Sequence, residues 1–235
     1  SSRSRGGRMS RMRWFYRLSR FACWGFSTFY FKTRCFGVRN LPLDGGVLLV
    51  SNHQSFMDPV LATMTLRREG NYMARDSLFR SRWFGWLITH YNSFPVRRST
   101  ADIGAIKESM RRLKDGRLML MFPEGTRTTD GRIGPLLPGM VAIAQKTRVP
   151  IVPCLIDGVF QVWPRHQLLP SPGDVIVEYG PPIRPEEFKE LSAQELTDLV
   201  RGRLVAMQRR WHRLVPRRRL EWYDACEGPA DEPGA

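Results

Sequence analysis

Short runs of unbroken apolar residues, each closed by a turn or a polar cluster and separated by stretches of helical periodicity, constrain this chain more than any other feature. Gly46-Val-Leu-Leu-Val-Ser51 and Arg117-Leu-Met-Leu-Met-Phe122 are two such runs. They are too short for helices and apolar at consecutive positions, the pattern of strands buried on both faces. Ile151 to Ile156 and Val175 to Tyr179 read as further strands. Between the strands, Ser99 and Asp102 give a capping-box pattern ahead of Ile103, Ile106, Met110 and Leu113, and Gly116 ends that run. Residues 77–91 and 139–147 also read as helices, and Ser93 to Arg98 as an extended segment. Ser192 and Glu195 form a second capping box, opening a helix whose apolar face carries Leu196, Val200, Leu204, Met207, Trp211 and Leu214. The predicted fold is α/β, a single domain with a mixed, largely parallel sheet flanked by helices. A chain of 235 residues is long enough to bury one such core.

Charge is distributed unevenly along the chain. Lys and Arg number 37 against 22 acids, a net charge of +15. Residues 1–40 hold ten bases and no acid, and residues 201–219 hold eight bases and no acid. The remaining 19 bases face all 22 acids, so the basic character belongs to the two ends, which are suited to an anionic partner. Ten of the 26 aromatic residues lie in the first 36 positions: Trp14, Phe15, Tyr16, Phe21, Trp24, Phe26, Phe29, Tyr30, Phe31 and Phe36. The uncharged stretch Phe21 to Phe31 has eleven residues, about half of the roughly 20 that a spanning helix needs. Residues 9–36 are therefore expected to form one or two helices lying in an anionic membrane surface, with aromatic rings at headgroup level. A basic helix docked on the domain is the plainer reading, and an RNA-binding face is a third, less favoured one. No small-residue cleavage site follows the apolar stretch, which weighs against a signal peptide. Residues 221–235 turn acidic and rich in Pro and Gly, and are expected to be a disordered tail. Cys23, Cys35, Cys154 and Cys226 are scattered, as are His53, His90, His166 and His212. That pattern suits a reducing compartment and gives no support to a metal site.

Two polar clusters stand where α/β proteins place ligands, at the carboxyl ends of strands. Asn52-His53-Gln-Ser-Phe-Met-Asp58 follows the first apolar run. His53 can take a proton near neutral pH, and Asp58 on its other ring nitrogen would fix the tautomer if the segment turns into a helix. The competing reading is a helix N-terminus capped by polar side chains. Phe122-Pro-Glu-Gly-Thr-Arg127 follows the second run, with Pro123 and Gly125 making a tight turn that presents Glu124, Thr126 and Arg127. An Arg fork suits a phosphate, and Arg97 with Arg98 after Phe94-Pro95-Val96 offers a second grip. Each arginine taken alone also reads as a solvated surface charge.

Taken together, Asn52-His53-x-Ser55-x-x-Asp58, Phe94-Pro95-Val96-Arg97-Arg98, Phe122-Pro123-Glu124-Gly125-Thr126-Arg127 and Ile151-Val152-Pro153 resemble, in order and spacing, the four motifs of the PlsC-type glycerolipid acyltransferases. The members most similar look like 1-acylglycerol-3-phosphate O-acyltransferases, and the resemblance covers roughly residues 40–185. Leu136-Leu137-Pro138-Gly139 departs from the Phe-Lys that members often carry before the fourth motif. The resemblance implies transfer of a fatty acyl group from acyl-CoA or acyl carrier protein to the sn-2 hydroxyl of 1-acylglycerol-3-phosphate, giving phosphatidic acid. No cofactor is implied beyond that thioester co-substrate. His53 would be the base, oriented by Asp58. Arg97, Arg98 and Arg127 would hold the acceptor phosphate, Glu124, Gly125 and Thr126 would shape its site, and Pro153 would line the acyl or donor side. Another lysolipid or glycerol-3-phosphate is an alternative acceptor. Residues 1–38 would be the membrane-interface segment and 39–220 the acyltransferase domain, held on the cytoplasmic face of a membrane without spanning it.

Overall fold

A computed structural model of the chain describes residues 14–97, 102–164, 167–216 and 220. In chain order the elements are α1 (Trp14–Tyr30), β1 (Arg34–Phe36), β2 (Val47–Ser51), α2 (Asp58–Leu61), β3 (Gly70–Arg75), α3 (Arg82–His90), β4 (Ser93–Val96) and α4 (Ile103–Lys114). They continue with β5 (Leu118–Met121), α5 (Pro138–Thr147), β6 (Ile151–Asp157), α6 (Val159–Val162), β7 (Ile176–Tyr179), α7 (Pro185–Phe188) and α8 (Ala193–Leu214). One seven-stranded sheet has the order β1-β7-β6-β2-β5-β3-β4. The five strands from β6 to β4 are mutually parallel, while β7 pairs antiparallel to β6 and carries β1 parallel to itself. The sheet is therefore mixed and largely parallel, as expected.

Every residue of β2, β5 and β6 is buried, because helices cover both faces of these central strands. Side chains alternate between the faces. Leu48, Val50, Met119 and Met121 pack with Leu113 of α4, Val141 and Ala144 of α5, and Leu196, Val200 and Leu204 of α8. Val47, Leu49, Leu118 and Leu120 point the other way, into a cluster with Phe31, Leu61, Val159 and Tyr179. The result is a three-layer α/β/α arrangement.

The helix starts partly follow the expected chemistry. At α8 the Glu195 N–H donates to Ser192 Oγ at 3.2 Å and the Ser192 N–H donates to Glu195 Oε2 at 2.7 Å, a complete capping box. At α4 the cap is Asp102 itself, accepting from the Ala105 N–H at 3.0 Å, so Asp102 is not the third helical residue of a box opened by an earlier cap. Ser99 lies outside the described residues. Residues 77–91 form two pieces rather than one helix. A 3-10 turn at Asp76–Phe79 precedes α3, whose first turn is capped by Ser81. A Cβ on Gly85 would stand 2.9 Å from the Phe79 carbonyl oxygen, so only glycine lets α3 fold back on that turn.

The N-terminal segment departs from expectation in two ways. A single described helix, α1, ends at Tyr30, and Arg34–Phe36 is a strand, with the Arg34 N–H donating to the Val175 carbonyl at 3.0 Å. Lys32, at φ 45°, makes the left-handed turn that separates them. In addition, Tyr16 and Phe31 do not face a membrane: they are 4% and 2% exposed. The Tyr16 hydroxyl lies 3.2 Å from the Tyr72 hydroxyl and accepts from the Gly70 N–H at 3.0 Å, which pins α1 to β3. Phe31 joins the core on that face. Tyr30 is half-buried, its hydroxyl donating to the Pro170 carbonyl at 2.9 Å. Trp14, Phe15, Phe21, Trp24, Phe26 and Phe29 remain exposed. Among the described residues no helix is long and apolar enough to cross a membrane. The expected tail, residues 221–235, lies outside the described residues.

Candidate active site

β2 and β5 lie side by side and parallel, with Val50 in register with Met121, so the segments leaving their carboxyl ends emerge together. Asn52 continues β2 by a substitute pairing. Its side-chain Nδ2 donates to the Ile156 carbonyl and its Oδ1 accepts from the Ile156 N–H, both at 2.8 Å. That bidentate contact holds the start of the loop against β6. The next residue, His53, is then fixed on every side. Its N–H donates to Glu124 Oε1 at 2.8 Å, its carbonyl accepts from the Thr128 N–H at 2.8 Å, and its ring stacks on Phe122 with centroids 4.4 Å apart.

His53 Nδ1 lies 2.7 Å from Asp58 Oδ2, at the first residue of α2. The same oxygen accepts the N–H groups of Gln54 at 2.6 Å and Ser55 at 2.7 Å. With Asp58 ionised, and so only accepting, this contact puts the proton on Nδ1 and leaves the lone pair on Nε2. Asp58 is fully buried, whereas the His53 side chain is 15% exposed. Burial pushes the Asp58 carboxyl above its ordinary range, and the hydrogen bonds from His53, Ser55 and Gln54 act against that shift. The start of α2 has no side-chain cap, its N-cap being Met57; Asp58 instead takes the backbone donors of the preceding loop and contacts the histidine ring.

Glu124, expected to shape the acceptor site, has both carboxylate oxygens engaged by backbone donors. Its Oε1 takes the His53 N–H and its Oε2 takes the Gly134 N–H at 3.0 Å. The carboxylate is a strut between the His53 loop and the segment before α5. Burial pushes it upward and these two backbone donors pull it back. Gly125, at φ 69°, makes the turn that delivers it, and the Gly125 N–H donates to the Phe122 carbonyl at 3.0 Å. Thr126 is exposed and Arg127 half-buried on the same turn.

Arg97 and Pro153, expected at the acceptor phosphate and on the acyl or donor side, stand at other strands than the one that leads into His53. Arg97 is exposed at the end of the edge strand β4, three strands from β2, about 14 Å away at the usual strand spacing of about 4.8 Å. Its backbone N–H donates to Asp102 Oδ2 at 3.0 Å. Pro153 is buried inside β6, in register with Val50, and its carbonyl accepts from the Gly180 N–H at 2.8 Å. It builds the sheet rather than its edge. Arg98 lies outside the described residues. Sequence reasoning missed the roles of Asn52, Gly134 and Thr128. The last two act through backbone N–H groups, which leave no side-chain signal. Among the described residues no group of three His, Cys, Asp or Glu side chains could hold a metal ion.

A model of the family described as Acyltransferase matches residues 32–157, more than half of the chain. The chain is 34% identical over 158 residues to the chloroplastic 1-acyl-sn-glycerol-3-phosphate acyltransferase BAT2 of Brassica napus, covering 66% of this chain and 46% of that one. It therefore spans about half the length of that plastid relative. To the 1-acyl-sn-glycerol-3-phosphate acyltransferase of Bacillus subtilis it is 28% identical over 186 residues, covering 77% of this chain and 90% of that one. The fold is similar to the crystal structure of the 1-acyl-sn-glycerophosphate acyltransferase PlsC from Thermotoga maritima. That match has a TM-score of 0.68 and 26% identity, and covers 83% of this chain and 82% of the other. The matched region runs from the turn before β1 to the last residue of β6 and includes His53, Asp58 and Glu124, and on it the chain belongs to the acyltransferase family.

Proposed function

We propose that the chain moves a fatty acyl group from a thioester, acyl-CoA or acyl carrier protein, to the sn-2 hydroxyl of 1-acylglycerol-3-phosphate, giving phosphatidic acid. The observation that carries this reading is the 2.7 Å contact between His53 Nδ1 and Asp58 Oδ2, which leaves Nε2 free to accept a proton at the exposed edge of the site. A glycerol hydroxyl attacks a thioester only as its proton leaves. His53 Nε2 takes that proton while the hydroxyl oxygen bonds to the carbonyl carbon, and Asp58 stabilises the imidazolium that forms. The tetrahedral intermediate then breaks its C–S bond, and the departing thiolate takes the proton back from Nε2. No acyl-enzyme is needed. Arg127, on the turn that also carries Glu124, is the cation assigned to the acceptor phosphate, and Arg97 extends that basic edge.

The product and the acceptor are lipids, and the exposed aromatic residues of α1 suit the headgroup layer of the membrane that holds them. In this reading the protein works from the cytoplasmic face, attached without spanning. The test is transfer of a labelled acyl group from acyl-CoA to lysophosphatidate in vesicles, with release of free thiol followed in parallel. His53→Ala should lose product and thiol together, by about 10²–10⁴ in rate. Full activity in that variant would refute the base, and an active protein that prefers a phosphate-free monoacylglycerol would refute the acceptor.

A further inference from the structure

α3 has the sequence Arg-Trp-Phe-Gly-Trp-Leu-Ile-Thr-His, apolar enough for a core helix, yet Gly85 is its single buried residue. Trp83 is 83% exposed, and Phe84, Trp86 and Leu87 also face outward. A helix that is apolar all round is ordinarily covered, and soluble proteins seldom leave an aromatic patch of this kind bare. α3 does not stand alone. Tyr91, at its end, lies 5.6 Å from the Tyr16 ring and 6.0 Å from the Phe15 ring of α1, so the two helices occupy one layer. At the other end of α1, Tyr30 holds the Pro170 carbonyl, next to Leu168 and Leu169, which are 88% and 72% exposed.

We propose that α3 and the Leu168-Leu169 loop are two further membrane footings that, with α1, seat this face of the domain in the headgroup layer of an anionic phospholipid bilayer. Charge selects that occupant. Arg17, Lys32, Arg34, Arg75, Arg80 and Arg82 are exposed on or beside these elements. Asp76 is the one acid along 14–36, 75–90 and 167–171, and its Oδ1 is taken by the Ser77 N–H. A second copy docked here would set arginines against arginines, whereas anionic headgroups supply the missing countercharge. Tryptophans flanked by arginines also fit a headgroup layer better than a dry protein interface. The footings reach the catalytic edge, because β3 ends at Arg75 on the same side of the sheet as the His53 loop, and the turn to α3 begins there. Seating α3 would bring that edge to the lipid boundary, a consequence that rests on the acyltransfer proposed above.

The test uses the full chain and vesicles of phosphatidylcholine with phosphatidylglycerol, and it reads binding without turnover. Trp83→Ala with Trp86→Ala should weaken vesicle binding about tenfold or more. Leu168→Ser with Leu169→Ser should weaken it less, since that footing is smaller. All four positions are exposed, so melting temperatures should stay unchanged. Activity on a dispersed short-chain acceptor should also persist while activity on vesicle-borne acceptor falls. Brominated lipids should quench the tryptophan fluorescence of the natural chain more than that of the double tryptophan variant. Unchanged vesicle binding and quenching in that variant would overturn the proposal, as would sedimentation showing a dimer that the variant dissociates. An inactive natural chain that still binds vesicles through α3 would sink the acyltransfer reading and leave this one standing.

Discussion

Asp58, buried, and Glu124, half-buried, are carboxylates that accept backbone N–H groups around His53, but they act on different parts of it. Asp58 touches the ring, so Asp58→Asn keeps the volume and an acceptor oxygen but removes the negative charge that would stabilise the imidazolium. Turnover should fall by about 10²–10⁴ with little change in KM, read from initial rates over a range of lysophosphatidate. Glu124 touches only backbone. Glu124→Gln leaves one oxygen for two donors, so either the His53 or the Gly134 N–H goes unpaired, at about 1–3 kcal/mol. That variant should lose both melting temperature and activity, and a stable protein with a raised KM alone would return Glu124 to the acceptor site. His53 and Asp58 are legible in sequence because their chemistry is local, five residues apart after an apolar run. The strut is not legible, because it joins His53 to a residue 71 positions away and then to a glycine N–H.

At the scale of elements, two contacts tie flanking helices to β3, and each can be loosened by one atom. Tyr16→Phe removes the acceptor of the Gly70 N–H and should cost about 1–2 kcal/mol. Tryptic cleavage at the exposed Lys32, behind α1, should then accelerate, whereas an unchanged rate would mean that α1 is held by its apolar contacts alone. On the other face, Arg112 of α4 donates to Asn71 Oδ1 at 2.9 Å and to Glu108 Oε1 at 2.7 Å. Hydrogen bonds from Arg111 and Arg112 hold the Glu108 carboxyl down at about 2. A depressed carboxyl stabilises the fold above its ordinary value of about 4.5, and the gain is lost as pH falls towards about 2. Glu108 is half-buried and reached by solvent, which limits the effect to about 0.5–1 kcal/mol. The melting difference between the natural chain and Glu108→Gln should therefore be present at neutral pH and close across that acidic window. β3 was itself hidden in the sequence. Asn71 is buried to donate to the Leu118 carbonyl and accept from Arg112, so a polar residue breaks the apolar run that exposed β2, β5 and β6 to reading. β1 was hidden because three residues with a half-exposed pattern carry too little periodicity.

Across the whole molecule, exposed bases and exposed aromatic residues occur together on the face that carries α1 and α3, whereas the exposed arginines of α8 lie on the opposite face. Sequence reveals charge far better than apolar exposure. The basic N-terminus is plain in composition, but a helix such as α3 reads as core until the fold leaves it outside, because exposure depends on which layers close over it. The two contributions also respond differently to salt. Screening at high ionic strength removes attraction between exposed arginines and anionic lipid, while burial of indole and phenyl rings in the headgroup layer is insensitive to it. Binding to anionic vesicles should thus fall as salt rises and level off at the affinity measured for neutral phosphatidylcholine vesicles. A nucleic-acid surface built on the same +15 charge would behave otherwise, losing affinity steeply and without a plateau. Competition between vesicles and an RNA homopolymer at rising salt separates the two. Persistent vesicle binding after the RNA has dissociated is the outcome that the exposed rings of α1 and α3 require, and complete loss of both would mean that those rings contribute nothing to docking.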